Sequence, residues 1–411
     1  MKKIFLLTLV LLFSFTLGFS QGFWTQKQSL PSNARCSGIG VATNTKGYLI
    51  GGYLGGYDHF KETWEYDPST NTWLQRADFP GAKRRWLIGF VLNDKVYVGL
   101  GGFMNGPSNY TYYSDFYEFN PDSNVWHQKA SFPGTPRVSA FCFNSDNKGY
   151  VGGGLNGYSV LSDLWRYNPV TDNWIQKNNI TCGARWGCSS FSLGYQAVGK
   201  TVYVGLGYNG SSFLKDFWEY NIAADSWIQR ANLPGVGRWY GASFAIGNYG
   251  YMGTGSNGSS YLQDFYQYDR GTDTWVQIPN LTGPGRCEAI SFFINDKGYV
   301  STGATSASTY TTDLWELTPS WYTNVEKITD QNEFSLYPNP ATDHFQISLS
   351  DGNTSETVIS VFDINGKLTL QKKIGPNQKT INIDCANFAR GKYFIRLGGK
   401  ETSATKTFVK L

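Results

Sequence analysis

Five tryptophans constrain this chain more than any other feature. Trp73, Trp126, Trp174, Trp227 and Trp275 follow one another at intervals of 53, 48, 53 and 48 residues, and an acid stands eleven residues before each. The intervening stretches are alike: ETWEYDPSTNTW (62–73), DFYEFNPDSNVW (115–126), DLWRYNPVTDNW (163–174), DFWEYNIAADSW (216–227) and DFYQYDRGTDTW (264–275). A shortened copy, DLWELTPSW, stands at 313–321. In DLWRYNPVTDNW, Trp165 and Tyr167 share one face of a strand, NPVTDN supplies turn residues, and Trp174 opens the return strand. Each stretch therefore reads as a β-hairpin. A period near 50 built from short strands predicts a β-propeller, one four-stranded blade per repeat.

The rest of the repeat agrees. A small-residue strand such as SGIGVA (37–42) or GASFAI (241–246) suits a crowded axis, and a glycine-ended strand such as GYLIGG (47–52) or KVYVGLGG (95–102) follows it. The glycine pair, the aromatic after an acid and the closing tryptophan resemble the kelch repeat over roughly residues 23–322. In this reading the second glycine is lost or replaced in the last three repeats. The segment FWTQKQSLP (23–31) matches WLQRADFP (73–80), and Trp24 lies 49 residues before Trp73. A lone N-terminal strand thus supplies the outer strand that the sixth repeat lacks, and closing the ring removes an exposed edge. The expected fold is all-β: a six-bladed kelch-type propeller over 21–322, closed by its N-terminal strand.

Composition fits that class. The 411 residues include 47 glycines, with 17% aromatic and only 16% charged residues, as suits an all-β chain rich in turns. Of the +4 net charge, the body at 21–330 carries 23 basic against 24 acidic residues, which gives no support for nucleic-acid binding. Residues 1–20, MKKIFLLTLVLLFSFTLGFS, have the basic start, apolar run and small residues of a cleaved signal peptide. No other segment is apolar enough to span a membrane once it is removed. Six cysteines in the exported part permit disulfides, Cys182–Cys188 or Cys36–Cys287 among them, or buried free thiols.

After a polar linker at 323–333, residues 334–411 read as a small β domain with an Asn365-Gly366 hairpin turn. The segments FSLYPNPATDHFQISL (334–349), VISVFDINGKL (358–368) and FARGKYFIRL (388–397) resemble a type IX secretion sorting domain. That resemblance implies an immunoglobulin-like β-sandwich. Its partner would be an outer-membrane export machine of Gram-negative bacteria, and its destination the cell surface or the medium.

Catalytic motifs are missing. There is no HExxH, P-loop or Gly-x-Ser-x-Gly, no zinc spacing, and only His59 and His127 in the propeller, so neither a metal nor another cofactor is expected. Aspartate and asparagine in the hairpins are explained by turn chemistry. The arginines carry more information. Arg35, Arg137, Arg185, Arg238 and Arg286 each fall eleven residues after a repeat tryptophan, and Arg85 falls twelve after Trp73. All six would then lie on the face of the Tyr/Asn/Gly/Ser-rich loops, with Trp86, Trp186 and Trp239 beside three of them. One reading makes these nine residues a site for an acidic protein or glycan ligand. The other pairs the arginines with Glu62, Asp115, Asp163, Asp216, Asp264 and Asp313 to brace neighbouring blades. The expected function is an exported binding module. Its alternatives are a purely structural surface protein or a mutarotase-like sugar enzyme, for which Asp58, His59 and Glu288 are the free acid–base candidates.

Overall fold

The computed structural model describes residues 22–106, 109–194, 201–319, 334–349, 357–363, 368–398 and 403–411. The signal peptide, Trp321, the linker and the Asn365-Gly366 turn lie outside these residues. The chain divides into two compact units, Met1–Thr323 and Asn324–Leu411.

In the first unit six four-stranded antiparallel sheets are present among the described residues. Their innermost strands are Ile39–Ala42, Ile88–Leu92, Phe141–Ser145, Ser189–Leu193, Ala242–Ile246 and Ile290–Ile294, which number blades 1 to 6. Each innermost strand neighbours the next, and Ile39–Ala42 neighbours Ile290–Ile294. The outer strands of blades 1 to 5 begin at or just before the repeat tryptophans. In blade 6 the outer place is taken by Phe23–Lys27, which pairs antiparallel with Leu314–Thr318 in the register Phe23↔Thr318 to Lys27↔Leu314.

Aromatics fill the gaps between blades. In five of the six blades the second-strand tyrosine meets an aromatic in the third strand of the following blade: Tyr48 with Phe119, Tyr97 with Tyr167, Tyr150 with Tyr220 and Tyr203 with Tyr268. Tyr299 of blade 6 meets Tyr66 of blade 1 in the same way. Close packing at this layer places glycine opposite four inner-strand phenylalanines, Phe90, Phe191, Phe244 and Phe292. A Cβ on Gly149 would fall 2.0–2.6 Å from three atoms of the Phe90 ring of the preceding blade. The outer tryptophans tie blades at the rim. Trp126, Trp174 and Trp275 donate their indole N–H to the carbonyls of Ala77, Ala130 and Ala231 in the preceding blade at 2.8–2.9 Å.

The hairpin turns do the same with their Asx side chains. Asp172 holds left-handed backbone at φ 47°, accepts from the Tyr167 hydroxyl at 2.6 Å, and takes the Ala130 N–H of the blade before at 3.0 Å. Left-handed backbone favours Asn and Asp at such positions, which accounts for the conserved chemistry of every turn along the repeat.

The second unit has a three-stranded sheet (Phe334–Tyr337, His344–Leu349, Thr380–Asp384) and a four-stranded sheet (Leu368–Ile374, Thr357–Asp363, Gly391–Gly398, Ser403–Lys410). Alternate residues such as Phe345, Ile347, Ile359, Val361, Ile383, Ile395 and Phe408 form one shared core.

Trp24 is buried against Phe265, with ring centroids 5.0 Å apart, and donates to the Pro279 carbonyl at 3.0 Å. Trp24→Ala is expected to cost about 3–5 kcal/mol, as other large core truncations do. Urea unfolding of the variant against the parent checks this, and an unchanged midpoint would remove the N-terminal strand from the core.

Candidate ligand site at the mouth of the propeller

The arginines that precede the innermost strands are almost completely buried: Arg35, Arg137, Arg238 and Arg286 at 0% exposure, Arg84 and Arg185 at 1%. Each is spent on its own blade's acid. Arg137 donates to both oxygens of Asp163 at 2.5 and 2.7 Å, Arg238 to Asp264 at 2.5 and 2.7 Å, and Arg286 to Asp313 at 2.6 and 2.7 Å. Arg185 holds Asp216 through two bonds of 2.8 Å. Arg35 reaches Glu62 at 2.6 Å, sharing it with Ser32. Further guanidinium donors go to main-chain carbonyls, for Arg137 those of Thr135 and Gly153, and in Arg35 and Arg286 also to the hydroxyls of Ser32 and Thr311. Asp163 also accepts from the Trp165 indole at 2.7 Å and Asp264 from the Tyr266 hydroxyl at 3.0 Å, which explains the acid–x–Trp or acid–x–Tyr order of the repeats.

Three expectations change here. The arginine eleven residues after Trp73 is Arg84, and it is Arg84 that chelates Asp115, so Arg85 is not the sixth member of the set. The side-chain pairs lie within blades, not between them; it is the arginine main chain that reaches the neighbour. The carbonyl of Arg84 accepts from Gly52, Arg137 from Gly101, Arg185 from Gly154, Arg238 from Gly207, Arg286 from Gly255 and Arg35 from Gly303. These are the second glycines, and all six are present. The first position of the pair is the variable one, filled by Leu100, Leu206, Thr254 and Thr302. The second glycine has φ between 85° and 115°, and a Cβ there would lie 2.6–3.0 Å from a carbonyl oxygen, so only glycine fits.

Two residues beyond each buried arginine the backbone turns left-handed, at Ser37, Trp86, Ser139, Gly187, Tyr240 and Glu288, with φ from 52° to 64°. Their N–H groups close a ring. Trp86 donates to Ser37, Ser139 to Trp86, Gly187 to Ser139, Tyr240 to Gly187, Glu288 to Tyr240 and Ser37 to Glu288, at 2.7–3.4 Å. Bulky residues in this conformation cost of order 1–2 kcal/mol each, and such outliers gather at functional sites.

The side chains on this ring divide the mouth into two halves. Blades 4 and 5 give an aromatic half: Trp186 and Trp239 lie 4.6 Å apart and both pack on Tyr208 and Tyr240. Tyr240 stacks on Trp86 from the opposite blade at 6.0 Å and 7°, with its hydroxyl 2.6 Å from Ser139 Oγ. Blades 6, 1 and 2 give a polar half. Ser37 donates a short bond to Glu288 Oε2, and Cys36 Sγ donates to the same oxygen at 3.2 Å. Arg85 lies with its guanidinium over the rings of Trp86 at 3.9 Å and Tyr53 at 4.2 Å, and its Nε donates to the Tyr110 hydroxyl at 3.2 Å. It forms no ion pair with a carboxylate within 4 Å among the described residues. Burial works against its charge, yet Tyr110 and Glu288 outweigh burial and hold its pKa above the ordinary arginine value. The indole N–H of Trp86 is buried and unbonded.

Of the three predicted tryptophans, then, Trp186 and Trp239 immediately follow buried arginines, whereas Trp86 lies one position further, on the left-handed ring. Asp58 and His59 lie on the blade 1 hairpin Gly47–Gly55/Asp58–Asp67, where the His59 ring packs on Tyr53, the ring beneath Arg85. All six cysteines are free thiols.

Residues 14–195 match the KLHDC2/KLHL20/DRC7 Kelch-repeats domain family, and residues 335–411 match the secretion system C-terminal sorting domain family. The chain carries a kelch-repeat region within its propeller and a type IX sorting domain at its C-terminal end. It is exported by type IX secretion to the cell surface or the extracellular space, and the sorting domain engages that machinery. No helix among the described residues is long and apolar enough to cross a membrane. A solved structure of YjhT is similar in fold at a TM-score of 0.58 and 16% identity, covering 70% of this chain and 96% of that one. Two curated relatives are named N-acetylneuraminate epimerase. The Pasteurella multocida (strain Pm70) protein is 34% identical over 86 residues, 20% of this chain and 22% of that protein. The Salmonella typhi protein is 28% identical over 110 residues, 26% and 28% respectively. The chain therefore spans under a third of either relative in these matches.

Two outcomes follow from the pairing and the sorting domain. Burial alone would raise the carboxyls of Glu62, Asp163 and Asp313, but their arginine and indole bonds outweigh it and hold all three below the usual range. Their contribution is complete above the unfolded carboxyl pKa near 4 and is lost as pH falls through the lower folded values. Arg137→Ala, which leaves Asp163 without its partner, should cost about 3–5 kcal/mol at neutral pH and flatten the acid limb of the stability curve. Urea midpoints measured from pH 2 to pH 7 test both. Deleting residues 334–411 should leave the propeller in the periplasm, scored by fractionation and surface labelling; normal surface arrival would contradict the sorting role.

Proposed function

We propose that the propeller is an exported binding module whose mouth takes a carboxylate-bearing sugar. The observation that carries this reading is Arg85. It breaks the symmetry of the repeat, keeps its charge, and has no carboxylate of its own, while the six buried arginines around it are consumed by the scaffold. A guanidinium held between aromatic faces presents a fixed pair of N–H groups to a carboxylate, which lysine cannot reproduce. The Trp86 indole supplies a further donor beside it. Opposite, Trp186 and Trp239 offer apolar surface for the C–H face of a sugar ring, and Ser37 and Glu288 offer hydroxyl partners. The names of the two partial relatives point to the same ligand chemistry, an acidic sugar.

A second reading is supported by Glu288. It is a carboxylate in strained left-handed backbone, within the electrostatic reach of Arg85, where a sugar held by that arginine would meet it. On this reading the module interconverts stereoisomers of the bound sugar, with Glu288 as the proton-transfer group.

Arg85→Gln should weaken binding of N-acetylneuraminate about ten- to a hundredfold, the worth of hydrogen bonds to a charged group, and Arg85→Lys should restore little. Isothermal titration, with urea midpoints unchanged in both variants, tests this. Absence of binding to the parent protein sinks the acidic-sugar reading. Proton NMR of freshly dissolved N-acetylneuraminate separates the two: anomer exchange faster than in buffer, and lost in Glu288→Gln, identifies an enzyme.

A further inference from the structure

The side chains of the left-handed ring close the mouth from below. Tyr240 of blade 5 reaches across the axis. Its ring passes Gly187 of blade 4, where a Cβ would come within 3.4 Å of it. Its hydroxyl meets Ser139 Oγ of blade 3 at 2.6 Å, and its ring lies 7° from parallel to Trp86 of blade 2, with centroids 6.0 Å apart. Trp86 continues the layer to Tyr110, at 6.2 Å and 17°. On the remaining side Ser37 and Glu288 bond to each other. All six ring positions thus belong to one floor across the axis.

Beneath this floor the axial strands keep their hydroxyls for the scaffold. Ser190, Ser243 and Ser291 donate to the carbonyls of Cys142, Ser190 and Ser243 in the preceding blades at 2.7–3.0 Å. Arg85 stands on the other side of the floor. Its guanidinium lies 3.9 Å from the Trp86 ring and is held by Tyr53 of the blade 1 hairpin and Tyr110 of the blade 2 hairpin, both on the loop face. The charge assigned to the ligand therefore sits at the bottom of a blind recess. One wall is the blade 1 hairpin, which pairs out to Gly55↔Asp58, and the opposite wall is the cluster of Trp186, Trp239 and Tyr208. Around the open side, the hairpin tips of blades 1 and 3 expose Tyr57 and Tyr158. Such aromatic faces suit the further units of a glycan.

A sugar whose carboxylate reaches Arg85 has the floor beneath it and these walls at its flanks. A terminal residue has one glycosidic neighbour, which leaves through the open side. A residue within a glycan has two, and the second meets packed side chains. Selection of this kind works by clash against the wrong ligand.

We infer that the mouth takes its acidic sugar at the end of a glycan and not within one. The inference rests on the acidic-sugar reading of the mouth and adds the place of that sugar in its polymer.

Isothermal titration of the full protein with N-acetylneuraminate, and with short and long α2,8-linked polysialic acid, tests it. Polysialic acid repeats one acidic sugar, so the number of propellers bound per glycan counts the residues recognised. That number should stay constant as the glycan lengthens. Arg85→Gln should weaken binding of the free sugar and of the polymer alike, about ten- to a hundredfold. A number that rises with length, while the free sugar still binds, overturns the inference and leaves the mouth reading standing. Polymer binding that survives in Arg85→Gln when free-sugar binding is lost also overturns it, because the glycan is then held outside the mouth. So does a free sugar that binds when no polymer does. Absence of binding to either probe overturns the mouth reading and this inference with it.

Discussion

The propeller depends on a buried arginine placed between two blades. Its guanidinium is exhausted by its own blade, through the repeat acid, the carbonyl two residues back and the carbonyl at the glycine pair. Its own carbonyl takes the N–H of the preceding blade's second glycine. One residue thus fixes the shape of one blade and its attachment to the last. Removing the charge from either partner strands the other in a site with little water, and this makes the pair nearly obligatory once the fold has adopted it. The repeat acid and the Trp or Tyr two residues after it follow from satisfying this side chain, and the glycine of the second strand from bonding its carbonyl.

The same economy explains what could be read in the sequence. The tryptophan period, the hairpin chemistry and the Trp24 strand were legible because every copy does the same job, so residue type recurs at fixed spacing. The arginine pairing was legible as one of two alternatives, since equal numbers of arginines and acids suit a scaffold. Spacing alone marks Arg84, eleven residues after Trp73; the following Trp86, which mimics Trp186 and Trp239 beside their arginines, favours Arg85 instead. Which glycine is indispensable was also hidden, because it depends on φ and on a carbonyl from a distant loop, not on local pattern.

The mouth was hardest to read for the opposite reason. Ser37, Trp86, Ser139, Gly187, Tyr240 and Glu288 share a backbone conformation and no chemistry, so no repeat signal marks them. Their common feature is position, two residues past a buried arginine. A closed ring of N–H···O bonds makes each position structurally equivalent and leaves each side chain free to differ. The scaffold therefore carries the symmetry, and Arg85, Glu288 and the Trp186/Trp239 pair break it around one opening.

The outer strand of blade 6 bears on the order of events in folding. Phe23 and Thr318 are paired in register across the blade 6 strands and stand 295 residues apart. Contacts of such long range form late, because the loop they close is the whole propeller. Blades 1 to 5 are complete on their own strands as the chain emerges, while blade 6 keeps an unpaired edge until both termini of the propeller meet. That last pairing comes just ahead of the sorting domain in the chain. The N-terminal strand covers the long-lived edge of Leu314–Thr318 and leaves blade 6 with the same short outer edge as the other five blades, so it serves as a latch that finishes the ring.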